Sequence, residues 1–354
     1  MLERTEAIRW LREENEAALN DLYFRADAVR RNSVGDAVHF RGLIEISNIC
    51  VRYCHYCGIR APNSLVTRYR MPADEIIECV RQAKAFGYGT VVIQAGEDPG
   101  ITKDWMTAII RRIKAETGLA VTLSLGERTD DELIAWRNAG ADRYLLRFET
   151  SNKALFRAIH PPRDGAEPLD RVELLKKMRA LGYEIGSGVM IGIPGQSYDD
   201  LANDLMQFQT LDLDMIGVGP YIPHPETPMG QGSDLPASSN DQVPNTELMT
   251  YKVVALTRLA CPRSNIPSTT ALATLNLATG REKGLQRGAN ILMPNVTPSK
   301  YRAFYEIYPD KACIQDTAEK CNHCMRMRIE SIGRRVGEGA GSAIRKKGGE
   351  EEKL

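Results

Sequence analysis

The stretch Leu43-Ile44-Glu45-Ile46-Ser47-Asn48-Ile49-Cys50-Val51-Arg52-Tyr53-Cys54-His55-Tyr56-Cys57-Gly58 joins two patterns. Leu43 to Ser47 is an apolar, strand-like run. The residues after it place three cysteines at C-x3-C-x2-C spacing. Three thiolates so spaced can hold three corners of a cubane iron–sulfur cluster, whereas an ordinary 4Fe-4S ferredoxin site supplies four. The next cysteine is Cys79, so no fourth thiolate lies nearby and one iron is left open to a small molecule. Zinc is the alternative. It takes four tetrahedral ligands, typically from two paired units. Cys54 and Cys57 would then pair with Cys321 and Cys324, leaving Cys50 and Cys313 unexplained. Eight cysteines in 354 residues are too sparse for a disulfide scaffold.

Outward from this loop the chain alternates strand and helix. Strand candidates are 43–47, 90–95, 120–125, 143–149, 184–191, 215–221, 266–271 and 290–293. Helical patterns separate them at 73–86, 104–117, 129–138, 168–181, 198–211, 245–260, 280–288 and 298–307. Thr129 ahead of Asp130 and Asp131 is a helix start signal, and Gly87, Gly118, Gly140 and Gly182 fall where helices should stop. Apolar strands alternating with helices mean a parallel sheet. A doubly wound sheet begins with the same pattern, but eight such units favour a closed (β/α)8 TIM barrel over residues 37–308. Residues 5–32, with Ile8, Leu11, Ala18, Leu19 and Leu22 near helical spacing, predict a helix inside an N-terminal segment, 1–36. A C-terminal extension, 309–336, carries further cysteines. The Gly- and charge-rich residues 337–354 read as a disordered tail. The Pro-, Ser- and Gly-rich stretch from Pro223 to Pro244 reads as a loop over the barrel mouth.

Composition narrows the function. Lys plus Arg equals 46 and Asp plus Glu equals 46. Zero net charge disfavours a bulk nucleic-acid binder. No run of 18 apolar residues marks a membrane span, and the start, Met1-Leu2-Glu3-Arg4-Thr5-Glu6, has no apolar core of a leader peptide. The expected setting is cytoplasmic, reducing and anaerobic.

In a barrel, active-site residues come from the C-terminal strand ends. These ends carry polar residues or glycines that plain packing does not require: Gln94-Ala95-Gly96-Glu97, Thr122 and Ser124, Arg147 and Glu149, and Gly192 to Gly195. A second triad, Cys313, Cys321 and Cys324, stands at C-x7-C-x2-C spacing and suggests a second iron–sulfur cluster, 2Fe-2S or 4Fe-4S. Cys79 and Cys261 fall in helical patterns among apolar residues and read as core. His224, flanked by prolines, and His160, ahead of Pro161-Pro162, read as structural, the latter as a cap or surface residue.

The Cys50–Cys57 motif resembles that of the radical S-adenosylmethionine (SAM) enzymes, and the aromatic Tyr56 before the third cysteine fits it. Further segments resemble the radical SAM maturases of FeFe-hydrogenase, in the biotin synthase-like branch. They are Glu45 to Asn48, Arg68 to Met71, Gln94 to Pro99, Thr122 to Glu127, Asp142 to Thr150, Gly219 to Pro225, Ile266 to Thr270, Met293 to Asn295 and the terminal triad. The match runs in order from about residue 20 to 335. The resemblance implies that Cys50, Cys54 and Cys57 ligate a 4Fe-4S cluster whose open iron chelates SAM. The cluster then reduces the sulfonium and frees a 5′-deoxyadenosyl radical. It implies SAM contacts at Tyr56, Gly96, Glu97, Ser124, Glu149, Arg171, Gly192 and Gly195. It places substrate contacts at Arg41, Thr122, Arg147 and Met293, and catalytic candidates at Arg147, Thr269, Thr270 and Tyr305. The implied substrate is a small organometallic or amino-acid-derived molecule, iron carrying carbon monoxide, cyanide and cysteine. Transient partners would be other hydrogenase maturases and a low-potential reductant. Two other readings stay open: a mutase or synthase of the methylornithine or biotin synthase type, and a non-catalytic iron–sulfur carrier.

Overall fold

The computed structural model describes residues 2–163, 165, 168–233 and 241–344. Its elements run α1 (Arg4–Arg12), α2 (Glu16–Val34), β1 (Ala37–Ser47), α3 (Ala73–Ala85), β2 (Thr90–Ala95), α4 (Lys103–Thr117) and β3 (Ala120–Ser124). Next come α5 (Asp130–Asn138), β4 (Arg143–Leu145), α6 (Lys153–Ile159), α7 (Arg171–Ala180), β5 (Glu184–Ile191), α8 (Tyr198–Leu211) and β6 (Met215–Pro220). The chain continues through α9 (Glu247–Ala260), α10 (Thr270–Leu275), α11 (Gly280–Gln286), β7 (Ile291–Leu292), α12 (Ser299–Arg302), α13 (Ala318–Ser331) and β8 (Arg335–Val336).

Strands β1 to β6 are parallel neighbours in chain order, and β7 lies on the other side of β1. The gap between β6 and β7 is filled by Asn265–Ser268. Met215 bridges Asn265 and Pro267 bridges Ile291, with Ile216 N donating to Asn265 O at 2.9 Å and Ser268 N to Ile291 O at 3.0 Å. The sheet thus closes as the (β/α)8 count predicts, but the candidate strand 266–271 is a short irregular bridge. Pro267 has no N–H for a ladder, and Thr269 turns the chain by capping α10.

Register fixes what faces the barrel interior. On β1, Phe40, Ile44 and Ile46 join the outer core with the helices. Strand side chains alternate, so Arg41, Leu43 and Glu45 point inward. Parallel pairing puts Leu43 level with Val92 and Thr122, and Glu45 level with Gln94 and Ser124.

Three elements differ from the sequence reading. The expected helix 5–32 is broken into α1 and α2, because Asn15 accepts from Ala18 N as an N-cap and the Glu13 carboxylate accepts from Glu14 N and Asn15 N. The short α6, capped by Asn152, lies outside the helical patterns given above, though it ends at the His160 read as a cap. Of the tail, residues 345–354 lie outside the described residues, but 337–344 are held across the N-terminal mouth of the barrel rather than disordered. After β8 pairs with β1, Gly341 O accepts from Arg41 Nη2 (3.1 Å) and Asn265 Nδ2 (2.9 Å). Ala340 O accepts from Thr90 Oγ1 (2.8 Å) and Arg143 Nη2 (3.2 Å). Composition suggested disorder; buried donors at the barrel floor override it. Among the described residues, no helix is long and apolar enough to cross a membrane.

Candidate active site

The cysteine loop leaves β1 pinned on both sides. Ser47 Oγ lies 3.0 Å from Tyr69 O and 2.7 Å from Asp98 Oδ2, with one hydrogen to give to the nearer carboxylate, and Asn48 Nδ2 donates to Thr67 O (2.8 Å) and Phe304 O (2.6 Å). The end of β2 lies directly against it: a Cβ at Gly96 would stand 2.3 Å from Ile49 O and 2.8 Å from Cys50 Cβ. Only glycine permits that approach. Cys50 Sγ accepts from Arg52 N (3.5 Å) and Glu97 N (3.4 Å). Cys50, Cys54 and Cys57 are half-buried and unbridged. Burial pushes all three thiols up, Cys54 to about 12. Thiolates in this loop therefore call for bound metal as counter-charge. Among the described residues, no three His, Cys, Asp or Glu converge on a single ion. The pairing of Cys54 and Cys57 with Cys321 and Cys324 that zinc would need does not form among the described residues.

A charge network joins the strand ends around this loop. Arg52 Nε donates to Glu97 Oε1 (2.7 Å) and Arg52 Nη2 to Glu127 Oε2 (2.6 Å). Glu127 also accepts from Arg171 Nε (3.0 Å), and Arg171 Nη1 donates to Arg147 O (2.7 Å). Arg171 thus arrives with Nε and Nη1 engaged. Sequence reasoning left Arg52 out and named Glu127 only as the end of the third strand, with no role. Their signal was position: Arg52 stands inside the cysteine motif and Glu127 at the end of the third strand.

Glu149 closes the β4 edge in a left-handed backbone (φ 62°) and is buried. A non-glycine residue there is uncommon and worth explaining. Arg147 Nη2 lies 3.1 Å from its Oε2 as an ion pair, but neither Glu149 Oε2 nor Arg147 Nε has a hydrogen-bond partner among the described residues. Burial raises the Glu149 carboxyl, opposed by Arg147 and Arg171. Gly192 and Gly195 take positive φ (78° and 86°), and a Cβ on Gly192 would meet Asn245 Cα at 2.5 Å. Tyr56 packs with Leu155, Ile159, Met190 and Ile193. His160 does cap α6, but it is buried against Tyr56, not at the surface. Burial, then Arg171, holds its imidazole well below the ordinary histidine range.

The candidate substrate residues do not all meet. Arg147 (side chain 35% exposed) and the half-buried Ser124, Thr269, Thr270 and Met293 lie at strand ends or in the loops after them. Thr269 Oγ1 also accepts from Leu272 N (3.3 Å) as a helix cap. Tyr305 is buried, its OH accepting from Gln94 Nε2 (3.2 Å). Thr122 is buried one layer lower, its hydroxyl without a hydrogen-bond partner among the described residues. Arg41 sits lowest, level with Thr90 and beneath the tail, its Nη1 on Met215 Sδ. Burial, then Arg143, lowers Arg41 to about 9. Arg41 and Arg147 therefore occupy opposite ends of the barrel.

The second triad lies on the flank, where α13 meets α3: Gln82 Nε2 donates to Glu319 (2.6 Å) and Tyr88 OH to Asn322 (3.1 Å). Cys313 has a left-handed backbone (φ 64°). Its hydrogen bond to Cys321 pushes that thiol down to about 7, aided by Arg281 and Arg302. Arg328 Nε donates to Cys324 Sγ (3.4 Å). Cys79 and Cys261 are buried, as read from the sequence. Two residues before Cys313, the buried Lys311 pairs with the buried Glu45 inside the barrel, a link with no sequence signal.

A family model, the Radical SAM superfamily, matches residues 44–207. The FeFe-hydrogenase maturase subunit HydE of Thermotoga maritima is 45% identical over 341 residues, covering 95% of this chain and 94% of that protein. The 3-methylornithine synthase of Methanosarcina acetivorans is 27% identical over 288 residues, 81% of this chain and 77% of that protein. Among solved structures, methylornithine synthase superposes with a TM-score of 0.77 at 24% identity, covering 96% of this chain and 95% of that one, a likeness of fold. The chain belongs to the radical SAM superfamily and, within it, to the HydE family of FeFe-hydrogenase maturases. It is a radical SAM enzyme, and its family's cofactors are a 4Fe-4S cluster and SAM. The residues fit both. Three half-buried thiols share one loop, Cys50 Sγ receiving two backbone N–H donors, and the buried Glu149 Oε2, ion-paired with Arg147, has no hydrogen-bond partner among the described residues.

Proposed function

We propose that this enzyme acts on a small organometallic, an iron carrying carbon monoxide, cyanide and cysteine, during assembly of the FeFe-hydrogenase cofactor. One observation carries the reading. A half-exposed guanidinium, Arg147, and a buried, under-satisfied carboxylate, Glu149, stand together at one strand end beside the cysteine loop. That pairing offers a donor to an amino-acid carboxylate and an acceptor to a diol.

In this reading Cys50, Cys54 and Cys57 hold the cluster. Tyr56 walls the adenine, and Gly192 and Gly195 bring bare backbone to it. Gly96 and Glu97 receive the ammonium, Glu149 the ribose diol, and Ser124 and Arg171 complete the SAM pocket. When bound, the cluster and SAM supply one electron and a 5′-deoxyadenosyl radical. The chain's own part is to bind, orient and exclude water. Arg147 holds the substrate carboxylate, with Thr269, Thr270, Met293 and Tyr305 lining the space above Thr122. The arrangement of Arg41 under the tail supports a role at the cavity floor. Cys313, Cys321 and Cys324 hold a second cluster. Other maturases supply the substrate and take the product, and a low-potential reductant supplies electrons.

The test is anaerobic. The protein is reconstituted with iron and sulfide, reduced and given SAM, and 5′-deoxyadenosine is assayed with and without an iron–cysteine–carbonyl–cyanide synthon. Wild type and Cys50→Ala are compared. Cys50-dependent cleavage that rises with the synthon supports the assignment; cleavage indifferent to it overturns the substrate.

A further inference from the structure

The two residues between Cys54 and Cys57 are each fastened to the end of α6. His55 N donates to Ile159 O at 3.0 Å. One residue later, Tyr56 OH lies 2.9 Å from His160 Nε2. His160 Nδ1 lies 3.0 Å from Phe156 O. A carbonyl only accepts, so Nδ1 carries the proton, Nε2 is the acceptor and Tyr56 OH is the donor. The rings meet edge-on, with centroids 5.4 Å apart and planes at 88°. Phe156 packs on the other face of the imidazole at 4.3 Å, and Arg171 Nη1 approaches Nε2 at 3.4 Å. His160 is 3% exposed. A buried imidazole locked in one tautomer, with its acceptor aimed at the residue before a cluster cysteine, restricts both the Tyr56 ring and the Cys54–Cys57 span.

We propose that His160 is a positioning residue. Through Tyr56 OH it fixes the ring plane that receives the SAM adenine, and with Ile159 O it fixes the separation of Cys54 and Cys57. It touches neither cofactor. The inference rests on the reading that Tyr56 faces SAM. Its signature is a loss of SAM affinity larger than the loss of turnover at saturation. His160→Leu removes the acceptor, Tyr56→Phe removes the donor, and His160→Gln keeps a side-chain acceptor.

The experiment has two readouts. In protein labelled at histidine with 15N, before reconstitution, the His160 resonances should report the Nδ1–H tautomer and should move in Tyr56→Phe. With only five histidines in the chain, assignment is direct. In reconstituted protein, the SAM dissociation constant should rise about fivefold in His160→Leu and in Tyr56→Phe, the worth of one hydrogen bond. It should rise no further in the double variant and be largely restored in His160→Gln. Wild-type SAM affinity in Tyr56→Phe, or additive losses in the double variant, overturns the proposal. Should His160→Leu fail to fold, Tyr56→Phe and His160→Gln decide it alone. Loss of SAM binding in Cys50→Ala with normal binding in Tyr56→Phe would leave the radical SAM reading standing and remove this one.

Discussion

Replacing Lys311 with Met should unfasten the C-terminal extension from the barrel. Lys311 is 7% exposed and its ammonium meets Glu45 Oε1, on a carboxylate that is itself fully buried. Glu45 Oε2 takes a second donor, Asn295 Nδ2, at 2.9 Å. Lys311 also reaches Tyr305 O at 3.4 Å and lies 5.1 Å from the Tyr305 ring centroid. Methionine preserves most of the volume but leaves a buried carboxylate with Asn295 as its remaining donor. Breaking one side of a buried pair costs about 3–5 kcal/mol, a large part of the roughly 5–15 kcal/mol that holds a domain folded. At about 2 °C per kcal/mol for a chain this large, the melting midpoint of the metal-free protein should fall by about 6–10 °C. Glu45→Gln alone should fall similarly, because it strands the ammonium. The double variant, Glu45→Gln with Lys311→Met, removes both charges and should recover to within about 1 kcal/mol of wild type, a coupling of at least about 5 kcal/mol against the summed singles. Thermal melts of the four proteins by circular dichroism read this directly. A Lys311→Met midpoint within 2 °C or so of wild type, or a double variant as low as the summed singles, would refute the reasoning.

Gly96→Ala should drive a methyl group into Ile49 O and Cys50 Cβ; iron bound after reconstitution should drop severalfold while the far-ultraviolet spectrum holds. Burial raises Asp204 from 3.8 to about 7. The native state therefore holds that proton more tightly than the unfolded chain, and its contribution is full below about pH 4 and lost as pH rises through 7. Denaturant midpoints should fall across that window by up to about 1.4 kcal/mol per pH unit, and Asp204→Asn should flatten the trend. Ending the chain after Gly337 removes the carbonyls that accept from Arg41, Thr90, Arg143 and Asn265. Leaving these donors short of acceptors should cost about 2–4 kcal/mol, read as a lower urea midpoint.

Much of the barrel and of the site was legible from local order. The cysteine spacing, the strand–helix rhythm and the polar strand ends are short-range patterns, and a parallel barrel gathers successive strand ends at one mouth by construction. Knowing that Gly96, Ser124, Glu149 and Gly192 end strands was enough to bring them towards Cys50. The same patterns pointed to the class of cofactor that the family carries, because three neighbouring thiols without a fourth would leave an iron open.

Tertiary structure alone decided which long side chains meet. Lys311 and Glu45 are 266 residues apart, and Arg52 joins Glu97 and Glu127 from separate loops. His160 is the cap the sequence suggested, but a lone histidine before prolines carries no sign of the ring that buries it. Residues 337–344 differ from their reading on the same ground: glycines and charges suggest disorder until buried arginines at the barrel floor offer them donors. Backbone pattern is written in residues a few positions apart, whereas a buried hydrogen bond depends on where two distant elements pack, and that geometry appears only when the sheet closes.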